Sequence, residues 1–457
     1  MKSLNASKKY KKTKLGYIPV DWELCTLGNC IFNNGKYGAN SSALKYDKTM
    51  PRYLRITDIK DNGELAQNKK ASIKLAGNEK YLLENNDFVF ARTGNTVGKT
   101  YLYQSKDGNL LYAGYLIKYS INHDKLLPNY LKGFTQSSRY WSWVKNTIRS
   151  GAQPNINANE YKSLIIPLPS LPEQKKIAEI LSCWDDCIGK LENVIKLKEK
   201  RKKGLMQKLL TGKVRLPEFN HGTLGKHGIK NDELPVGWEK AKLNDVFERV
   251  TRKNTINSSN VLTISAQHGL ISQKDYFNKS VAGKNLSNYM LLQNGEFAYN
   301  KSYSNGYPMG AIKRLDKYDT GIVSTLYICY RLKNMDSNSN YFKHYFDAGL
   351  LNEEIHGIAQ EGARNHGLLN ISVPDFFNMK IIISNTLEQK AIADILDCAD
   401  METEKLRKKL EAVKNQKKGL MQKLLTGEIR HPEFATTSRC PAGLCLGTAE
   451  HTENTEE

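Results

Sequence analysis

The sequence lacks the motifs by which enzymes hold nucleotides, metals or methyl donors. None of its 13 prolines adjoins another, so the Asn/Asp-Pro-Pro-aromatic signature of amino-methyltransferases is missing. No Gly-x-Gly follows a strand-like run, no His-Glu-x-x-His occurs, and the eight cysteines include no Cys-x-x-Cys pair. These absences predict a chain with no active site, no metal site and no cofactor of its own.

Acidic residues are also in deficit. There are 47 Asp and Glu against 68 Lys and Arg, a net charge of +21, which indicates a polyanionic partner. No apolar run approaches the roughly 20 residues of a membrane span. The basic start, residues 1–14, has no apolar core after it and is not a signal peptide. We therefore expect a cytoplasmic protein that binds nucleic acid and no membrane.

One short stretch imitates a nucleotide-binding loop. Residues 91–100, ARTGNTVGKT, end in Gly98-Lys99-Thr100. A phosphate-binding P-loop needs four residues between its glycines and then a helix. Here three residues separate Gly94 from Gly98, and 101–104 alternate as a strand does. A P-loop-like NTPase using Lys99 is kept only as an alternative.

The chain is a tandem duplication with an offset of 215 residues. The stretch KKGLMQKLLTG occurs at 202–212 and again at 417–427, and 26 of 47 positions are identical between 173–219 and 388–434. The fronts of the halves also match, as IPVDWE at 18–23 and LPVGWE at 234–239. A repeat this long makes each half a domain followed by an arm.

Each arm is predicted to be a helix of about 40 residues. Ser170 with Glu173, and Asn385 with Glu388, have the spacing of a capping box, and Gly212 and Gly427 suit helix ends. Apolar residues recur in alternating steps of three and four, which predicts a coiled-coil seam with lysines at some positions. The two seams are expected to pack antiparallel, although each helix could instead pack on its own domain. The seam positions are Trp184, Ile188, Leu191, Ile195, Lys198, Lys202, Leu205 and Leu209 in the first copy, and Ala399, Thr403, Leu406, Leu410, Val413, Lys417, Leu420 and Leu424 in the second.

The blocks between the arms are predicted to be mixed α/β domains. Strand-like alternation occurs at 53–57, 87–92, 101–104 and 115–120, then at 261–265, 296–300, 311–315 and 322–330. Helical stretches lie at 128–146 and 340–356. The fold class is therefore α/β (mixed α+β): two globular domains, separated by two long antiparallel helices, in a pseudo-twofold repeat.

Two polar loops in each block are candidates for DNA contact. A Gly-rich loop follows the strand at 87–92 and its counterpart at 296–300, and a second loop precedes each long helix at 149–159 and 361–372. Arg, Gln and Asn can make paired hydrogen bonds to guanine or adenine, although an ordinary Gly/Asn turn would look similar.

Taken together, these motifs resemble the specificity (S) subunit of type I restriction-modification systems over about residues 14–434. The resemblance rests on the Pro-x-x-Trp-Glu openings, the Glu-Gln helix starts and the KKGLMQKLLTG ends. It implies target-recognition domains at 1–171 and 214–386, a central spacer helix at 172–213, a distal one at 387–427, and a disordered tail at 428–457. Each domain would read one half of a bipartite DNA target, about one DNA turn apart, ~34 Å.

The resemblance also implies partners in host defence. Two methyltransferase (modification) subunits would use S-adenosylmethionine, and restriction subunits would use ATP and Mg, while this chain binds no cofactor and catalyses nothing by itself. A combined cutting-and-methylating enzyme is a variant partner, and an RNA- or membrane-binding coiled-coil scaffold is a rival class.

Site residues follow from the loops and the seam. The predicted DNA-binding residues are Arg92, Thr93, Asn95, Thr96, Lys99, Arg149, Gln153, Asn155, Lys301, Tyr303, Ser304, Asn305, Tyr307, Arg364, Asn365 and His366. The predicted docking and spacer residues are Leu191, Leu205, Leu209, Leu406, Leu410, Leu420 and Leu424.

Overall fold

The chain divides into two units in a computed structural model. Unit 1 comprises Met1–Lys190 with Leu410–Glu457, and unit 2 comprises Leu191–Lys409. The structure describes residues 9–148, 154–220, 234–265, 269–277, 285–302, 307–334, 337–361 and 369–435.

Unit 1 is built mainly from short strands. They are Tyr10–Thr13 (β1), Gly16–Pro19 (β2), Glu23–Thr26 (β3), Lys36–Tyr37 (β4), Leu44–Lys45 (β5), Arg52–Leu54 (β6), Ala71–Ser72 (β7), Asp87–Ala91 (β8), Thr100–Leu102 (β9), Leu110–Tyr112 (β10), Leu116–Ser120 (β11) and Ile165–Leu168 (β12). Its helices are Pro128–Phe134 (α1), Ser138–Thr147 (α2), Ala158–Lys162 (α3) and the long Leu171–Leu209 (α4), which continues into unit 2.

The central sheet of unit 1 is antiparallel, in the order β4-β11-β8-β9. All five residues of β8 are buried, so the strand is covered on both faces. Phe88 and Phe90 join one hydrophobic core, whereas Val89 and Ala91 join a second core on the other face. This burial fixes the strand whose end carries the first candidate loop.

Unit 2 repeats this plan. Its strands are Glu239–Lys242 (β13), Phe247–Arg249 (β14), Leu262–Ser265 (β15), Gly269–Ser272 (β16), Met290–Gln293 (β17), Phe297–Asn300 (β18), Ala311–Arg314 (β19), Thr320–Val323 (β20), Ile328–Leu332 (β21), Gln360–Glu361 (β22), Leu369–Asn370 (β23) and Lys380–Ile383 (β24). Its helices are Leu243–Val246 (α5), Gln273–Phe277 (α6), Ser339–Asp347 (α7), Asn352–Ile358 (α8), Val373–Asn378 (α9) and the long Thr386–Leu424 (α10), which continues into unit 1.

The central sheet of unit 2 has the equivalent order β14-β21-β18-β19. The run 322–330, expected as one strand, is instead two, because the chain turns where Tyr327 N–H bonds the carbonyl of Ser324. Each predicted helical stretch is likewise a pair of shorter helices, α1 with α2 and α7 with α8.

The two long helices pack antiparallel, and the predicted fold class is confirmed. In unit 2, Lys198 Nζ lies 2.6 Å from Glu402 and Lys202 Nζ lies 2.6 Å from Asp400. In unit 1, Lys417 Nζ lies 2.6 Å from Asp185. Lys417 and Asp185 are the repeat counterparts of Lys202 and Asp400, so these two seam lysines are accommodated by the same ion pair, made once in each unit. None of the helices within the described ranges is long and apolar enough to cross a bilayer.

Each long helix also packs on both globular parts that it passes. The start of α4 and the end of α10 contribute Ile177, Leu181 and Leu424 to the core of unit 1. The end of α4 and the start of α10 contribute Leu209 and Leu396 to the core of unit 2. We expected the two helices either to pack against each other or to pack each on its own domain, and the structure shows both.

Unit 1 is closed by a buried glutamate at the start of α4. The carboxylate of Glu173 accepts hydrogen bonds from Trp22 Nε1 at 3.1 Å and from Arg430 Nε and Nη2, both at 2.7 Å. Glu173 is 2% exposed. Arg430 also donates two bonds to Asp21, at 3.1 and 2.8 Å, and its hydrogen bonding to the Glu173 carboxylate raises the pKa of its guanidinium. Segments 151 and 257 residues from Glu173 thus converge on it.

Unit 2 is closed in the same way. Glu388, fully buried, accepts from Trp238 Nε1 at 3.0 Å and from Arg215 Nε and Nη2 at 3.0 and 2.7 Å. Gly237 stands where unit 1 has Asp21, so Arg215 has one carboxylate partner in this cluster where Arg430 has two.

The glycines at the helix ends serve the same closure. Gly212 and Gly427 have φ of +67° and +69°. A Cβ on Gly427 would lie 2.3 Å from Pro19 Cγ, and one on Gly212 would lie 2.7 Å from Pro235 Cγ. A larger residue would therefore clash with the Pro-x-x-Trp motif and also strain the backbone.

The capping-box prediction is wrong for both glutamates. Asn385 does cap α10, since its Oδ1 accepts from the N–H of Glu388 at 3.0 Å. The carboxylates of Glu173 and Glu388, however, turn away to the buried tryptophans and arginines. The local spacing suited a cap, but a buried guanidinium is a stronger partner for a carboxylate than a backbone N–H.

The tail predicted to be disordered from residue 428 is folded as far as Ala435. Arg430 holds it to Glu173, and a short 3-10 turn follows at Pro432–Phe434. The rest of the tail, 436–457, lies outside the described residues.

We expect Arg430→Met to lower the free energy of unfolding of unit 1 by about 3–5 kcal/mol, because it leaves the charge of Glu173 buried without a countercharge. Adding Glu173→Gln should recover much of this loss, because a neutral amide can still accept the bond from Trp22. Urea unfolding followed by hydrogen exchange in each unit measures both.

The matched pair Arg215→Met and Glu388→Gln should shift unit 2 alone. Equal losses for Arg430→Met with and without Glu173→Gln would show that the buried charge is not what makes Arg430 necessary.

Candidate nucleic-acid interface

The Gly-rich loop of unit 1 begins where the buried strand β8 ends. Arg92 and Thr93 leave the strand, a 3-10 turn spans Gly94–Thr96, and the chain returns through Gly98 into β9. This loop opens into a strand, as predicted, and not into the helix that a P-loop requires. Asn95 is exposed at its tip, whereas Thr96 is half-buried and its hydroxyl donates to the carbonyl of Thr93 at 3.3 Å.

Two buried tyrosines hold this loop from behind. Tyr161 Oη donates to the carbonyl of Ala91 at 2.8 Å and accepts from the N–H of Gly98 at 3.1 Å. Tyr140 Oη donates to the carbonyl of Gly98 at 2.6 Å. Gly98 has φ of +88°, and a Cβ there would lie 2.8 Å from Val144. The backbone is therefore fixed by residues other than those that face outward.

The second candidate loop meets the first. The N–H of Gly94 bonds the carbonyl of Pro154 at 3.0 Å, and the N–H of Ile156 bonds the carbonyl of Arg92 at 2.9 Å. Thr93 and Asn155 form an antiparallel bridge between the loops. Of the predicted residues, Arg92, Thr93 and Asn155 thus come together. Arg149 and Gln153 lie outside the described residues.

Lys99 is held away from the loop tip. Its Nζ lies 2.7 Å from Asp61 Oδ1 and 3.4 Å from the carbonyl of Ile59. Asp61 is 92% exposed, so this pair is screened by solvent and contributes little stability. It does offset one positive charge next to the candidate interface.

Unit 2 places its two loops together at the equivalent strand end. Lys301 follows β18 as Arg92 follows β8, and its carbonyl accepts from the N–H of Leu369 at 3.1 Å. Lys301 Nζ donates to the carbonyl of Ile371 at 3.4 Å. Tyr307 lies on the return, with Lys313 Nζ 5.7 Å from its ring centroid. The remaining predictions lie outside the described residues: Tyr303, Ser304, Asn305, Arg364, Asn365 and His366.

One side chain that the sequence did not reveal joins the interface of unit 1. Tyr37, on β4, stacks against Arg92, whose Cζ lies 4.8 Å from the ring centroid. Fifty-five positions separate the two residues in the chain, and β4 is only two residues long, so no local pattern marks the contact.

The seven predicted spacer and docking leucines are all buried or half-buried. Four pack into the core of the unit in which they lie, namely Leu205 and Leu209 in unit 2, and Leu420 and Leu424 in unit 1. The other three, Leu191, Leu406 and Leu410, are at seam positions of the two long helices. Their part in docking a partner stays a prediction.

One cluster has ligand types that a metal could use. His344, Asp397 and Asp400 have ligand atoms within 4.8 Å of one another. Lys202 Nζ already pairs with Asp400 at 2.6 Å, and His344 Nε2 lies 2.8 Å from Asp397. Burial lowers the pKa of His344, and the charge of Lys202 adds to this effect. Lys202 balances the charge of Asp400, and Asp397 is held by His344 and by Asn340 Nδ2 at 2.6 Å, so the cluster fits an internal ion pair with hydrogen bonds.

Known proteins match the whole arrangement. The family model for the type I restriction modification DNA specificity domain matches twice, over residues 19–199 and 235–415. The chain is 26% identical over 438 residues to the type I restriction enzyme MjaVIII specificity subunit of Methanocaldococcus jannaschii, covering 90% of this chain and 94% of that protein. It is 29% identical over 449 residues to the provisionally named MjaX specificity subunit of that organism, covering 92% and 96%. The crystal structure of a type I restriction-modification S subunit from M. genitalium shares the fold, with a TM-score of 0.50 at 15% identity over 88% of this chain and 96% of that one.

We expect Lys99→Ala and Asp61→Asn to change duplex binding in opposite directions. Lys99→Ala should weaken binding to any sequence and reduce the salt slope by about 1. Asp61→Asn should release the ammonium and strengthen binding by roughly 2- to 5-fold at low salt. Titrations of fluorescent random duplex over a salt series measure both.

Glu404→Gln is the matched control. It makes the same change in net charge, but next to Lys408 on α10. An equal gain for this variant would mean that total charge, and not Lys99, sets the affinity.

Proposed function

The chain belongs to the type I restriction-modification DNA specificity family, and we propose that it is the subunit that selects the DNA target of such a system. The observation that carries this proposal is the doubled interface. Both units bring a Gly-rich loop and a second loop together at the end of equivalent buried strands. The residues that follow the two strands differ: they are Arg92 and Thr93 in unit 1, and Lys301 and Ser302 in unit 2. Two domains with the same sheet and different loop residues are suited to recognising two different half-sites.

Each reader would combine two kinds of contact. Lysines and arginines around the loops would neutralise phosphates and give salt-sensitive affinity, while side chains at the loop tips would meet base edges in a groove. The net charge of +21 supports the first contribution. The fixed loop backbone in unit 1 supports the second, because base reading needs donors held in place.

The long helices would set the distance between half-sites. Each has 39 residues, a length of about 58 Å at 1.5 Å per residue. Their Lys–Asp pairs fix the register of one helix on the other in each unit. A fixed register is what a spacer needs, because a slip along the seam would change the distance.

Reaction chemistry would come from partner subunits acting with this chain in the cytoplasm. Two methyltransferase subunits using S-adenosylmethionine would dock on the helices, and restriction subunits would supply ATP- and Mg-dependent cutting. Exposed apolar side chains on the helices of unit 2 support a protein partner there, since Leu197 is 56% and Met401 58% exposed. The stretch that suggested an NTPase is not a P-loop, because the loop at Lys99 leads into a strand and not into a helix.

Exchange of residues 14–170 for the corresponding block of a relative should change one half of the methylated target and leave the other half intact. The exchange keeps Glu173 and Arg430, and the relative's own Pro-x-x-Trp motif should close unit 1. Methylation sequencing of cells that express the chain with its modification subunit gives the result. A wild-type target that is not split, or a change in both halves, would contradict two independent readers.

Insertion of seven residues in both helices, after Lys190 and after Lys409, should lengthen the gap between half-sites by about three base pairs. Seven residues preserve the seam and add about 10.5 Å, and one base-pair step is about 3.4 Å. Methylation sequencing again measures the gap. Four residues inserted after Lys190 alone should abolish methylation, because they put the seam out of register. An unchanged gap in an active double insertion would refute the spacer.

A further inference from the structure

The guanidinium of Arg92 is oriented before any DNA arrives. Its Cζ lies over the ring of Tyr37, 4.8 Å from the ring centroid. Its Nε is buried and has no hydrogen-bond partner within the described part of the chain. An arginine is otherwise among the most mobile of side chains, and such stacking removes much of that freedom.

Tyr37 is itself fixed by two elements. Its backbone pairs with Ile117 of the central sheet. Its hydroxyl oxygen accepts a hydrogen bond from the N–H of Ala158 at 3.3 Å, at the start of α3. Asn157 caps that helix, and its Oδ1 accepts from the N–H of Glu160 at 2.9 Å. Tyr37 is still 42% exposed, so the pair lies at the surface.

The surroundings of Arg92 favour a base edge over a phosphate. Of the described residues where the two loops meet at Arg92, Thr93 and Asn155 are neutral. Lys99, the other cation of this loop, is paired with Asp61. Phosphate sites gather several cations and free N–H groups, whereas a planar fork with two parallel donors matches N7 and O6 of guanine in the major groove.

The equivalent position of unit 2, within the residues that the structure describes, does not repeat this device. Its equivalent residue, Lys301, has no planar fork, and its ammonium donates to the carbonyl of Ile371 at 3.4 Å. The stacked arginine is therefore a feature of the first reader.

We propose that Arg92 reads a guanine in the half-site of the first domain, and that Tyr37 is the positioning residue that orients its guanidinium. The proposal rests on the proposed function and adds the base and the residue that recognises it.

The test uses the full chain in complex with its modification subunits. Methylation sequencing first gives the wild-type target, and the block exchange assigns its half-sites. Competition binding then compares that target with duplexes in which each G·C pair of the first half-site is replaced by A·T. The chains compared are wild type, Arg92→Gln, Arg92→Lys, Tyr37→Phe and Tyr37→Leu.

In the wild type, one G·C pair should be preferred by roughly 10- to 100-fold. Arg92→Gln should reduce that preference to about 2-fold and leave the other positions unchanged, and Arg92→Lys should keep part of it. Tyr37→Phe keeps the ring and should keep the preference. Tyr37→Leu should lose most of it, a change of base choice that a merely structural role would not produce.

Several results would overturn the proposal. One is a first half-site with no preferred G·C pair. Another is an Arg92→Gln variant that binds all duplexes equally more weakly, which would make Arg92 a phosphate contact. If Arg92→Gln does not fold, unchanged preference in both Arg92→Lys and Tyr37→Leu would decide against it. A wild type with no split target would instead remove the proposed function.

Discussion

The buried carboxylate at the start of each long helix is the interaction on which the rest of the structure depends. Glu173 and Glu388 each join three distant segments: a tryptophan that opens the domain, the start of one helix, and an arginine just beyond the end of the other. A buried charge is costly unless it is paired, so the segments can come apart only at a large free-energy cost. The closure therefore selects one arrangement of domain and helices.

The glutamine that follows each glutamate extends the closure into the domain. Gln174 Oε1 accepts from the N–H of Leu127, and Gln389 Oε1 accepts from the N–H of Asn338, in each case just before a helix of the globular part. Both Nε2 groups bond carbonyls next to the start of the long helix. The repeated Glu-Gln dipeptide thus satisfies buried backbone that would otherwise lack partners.

The sequence could predict the elements that occur in both repeats, but few of the contacts between residues that are distant in the chain. Eleven identical residues and a seven-residue period were enough for both long helices, to within four residues, and for their seam. The role of Glu173 was missed because its partners lie 151 and 257 positions away, while a local cap offered a sufficient explanation. The stack of Tyr37 on Arg92 was missed for the same reason. Alternation located nine of the 24 strands within the described residues, and the others are only two to four residues long. The run at 322–330 hid a turn, since its apolar residues continue through it.

The residues that hold each loop are different from the residues that the loop exposes, and this affects how such a chain can change its target. The backbone of the loop at Gly94–Thr96 is held by Tyr140 and Tyr161, which face the core. Asn95 faces solvent, and substitution of an exposed loop residue typically changes stability by less than about 0.5 kcal/mol. New side chains can therefore be tried at the tip without loosening the loop that presents them. The closing clusters allow no such freedom, because a change at Arg430 leaves the buried charge of Glu173 without a countercharge, and a larger residue at Gly427 forces a Cβ against Pro19. Because the loop tips tolerate substitution and the closing clusters do not, the loops of the two repeats would diverge while the rest of the fold stays the same.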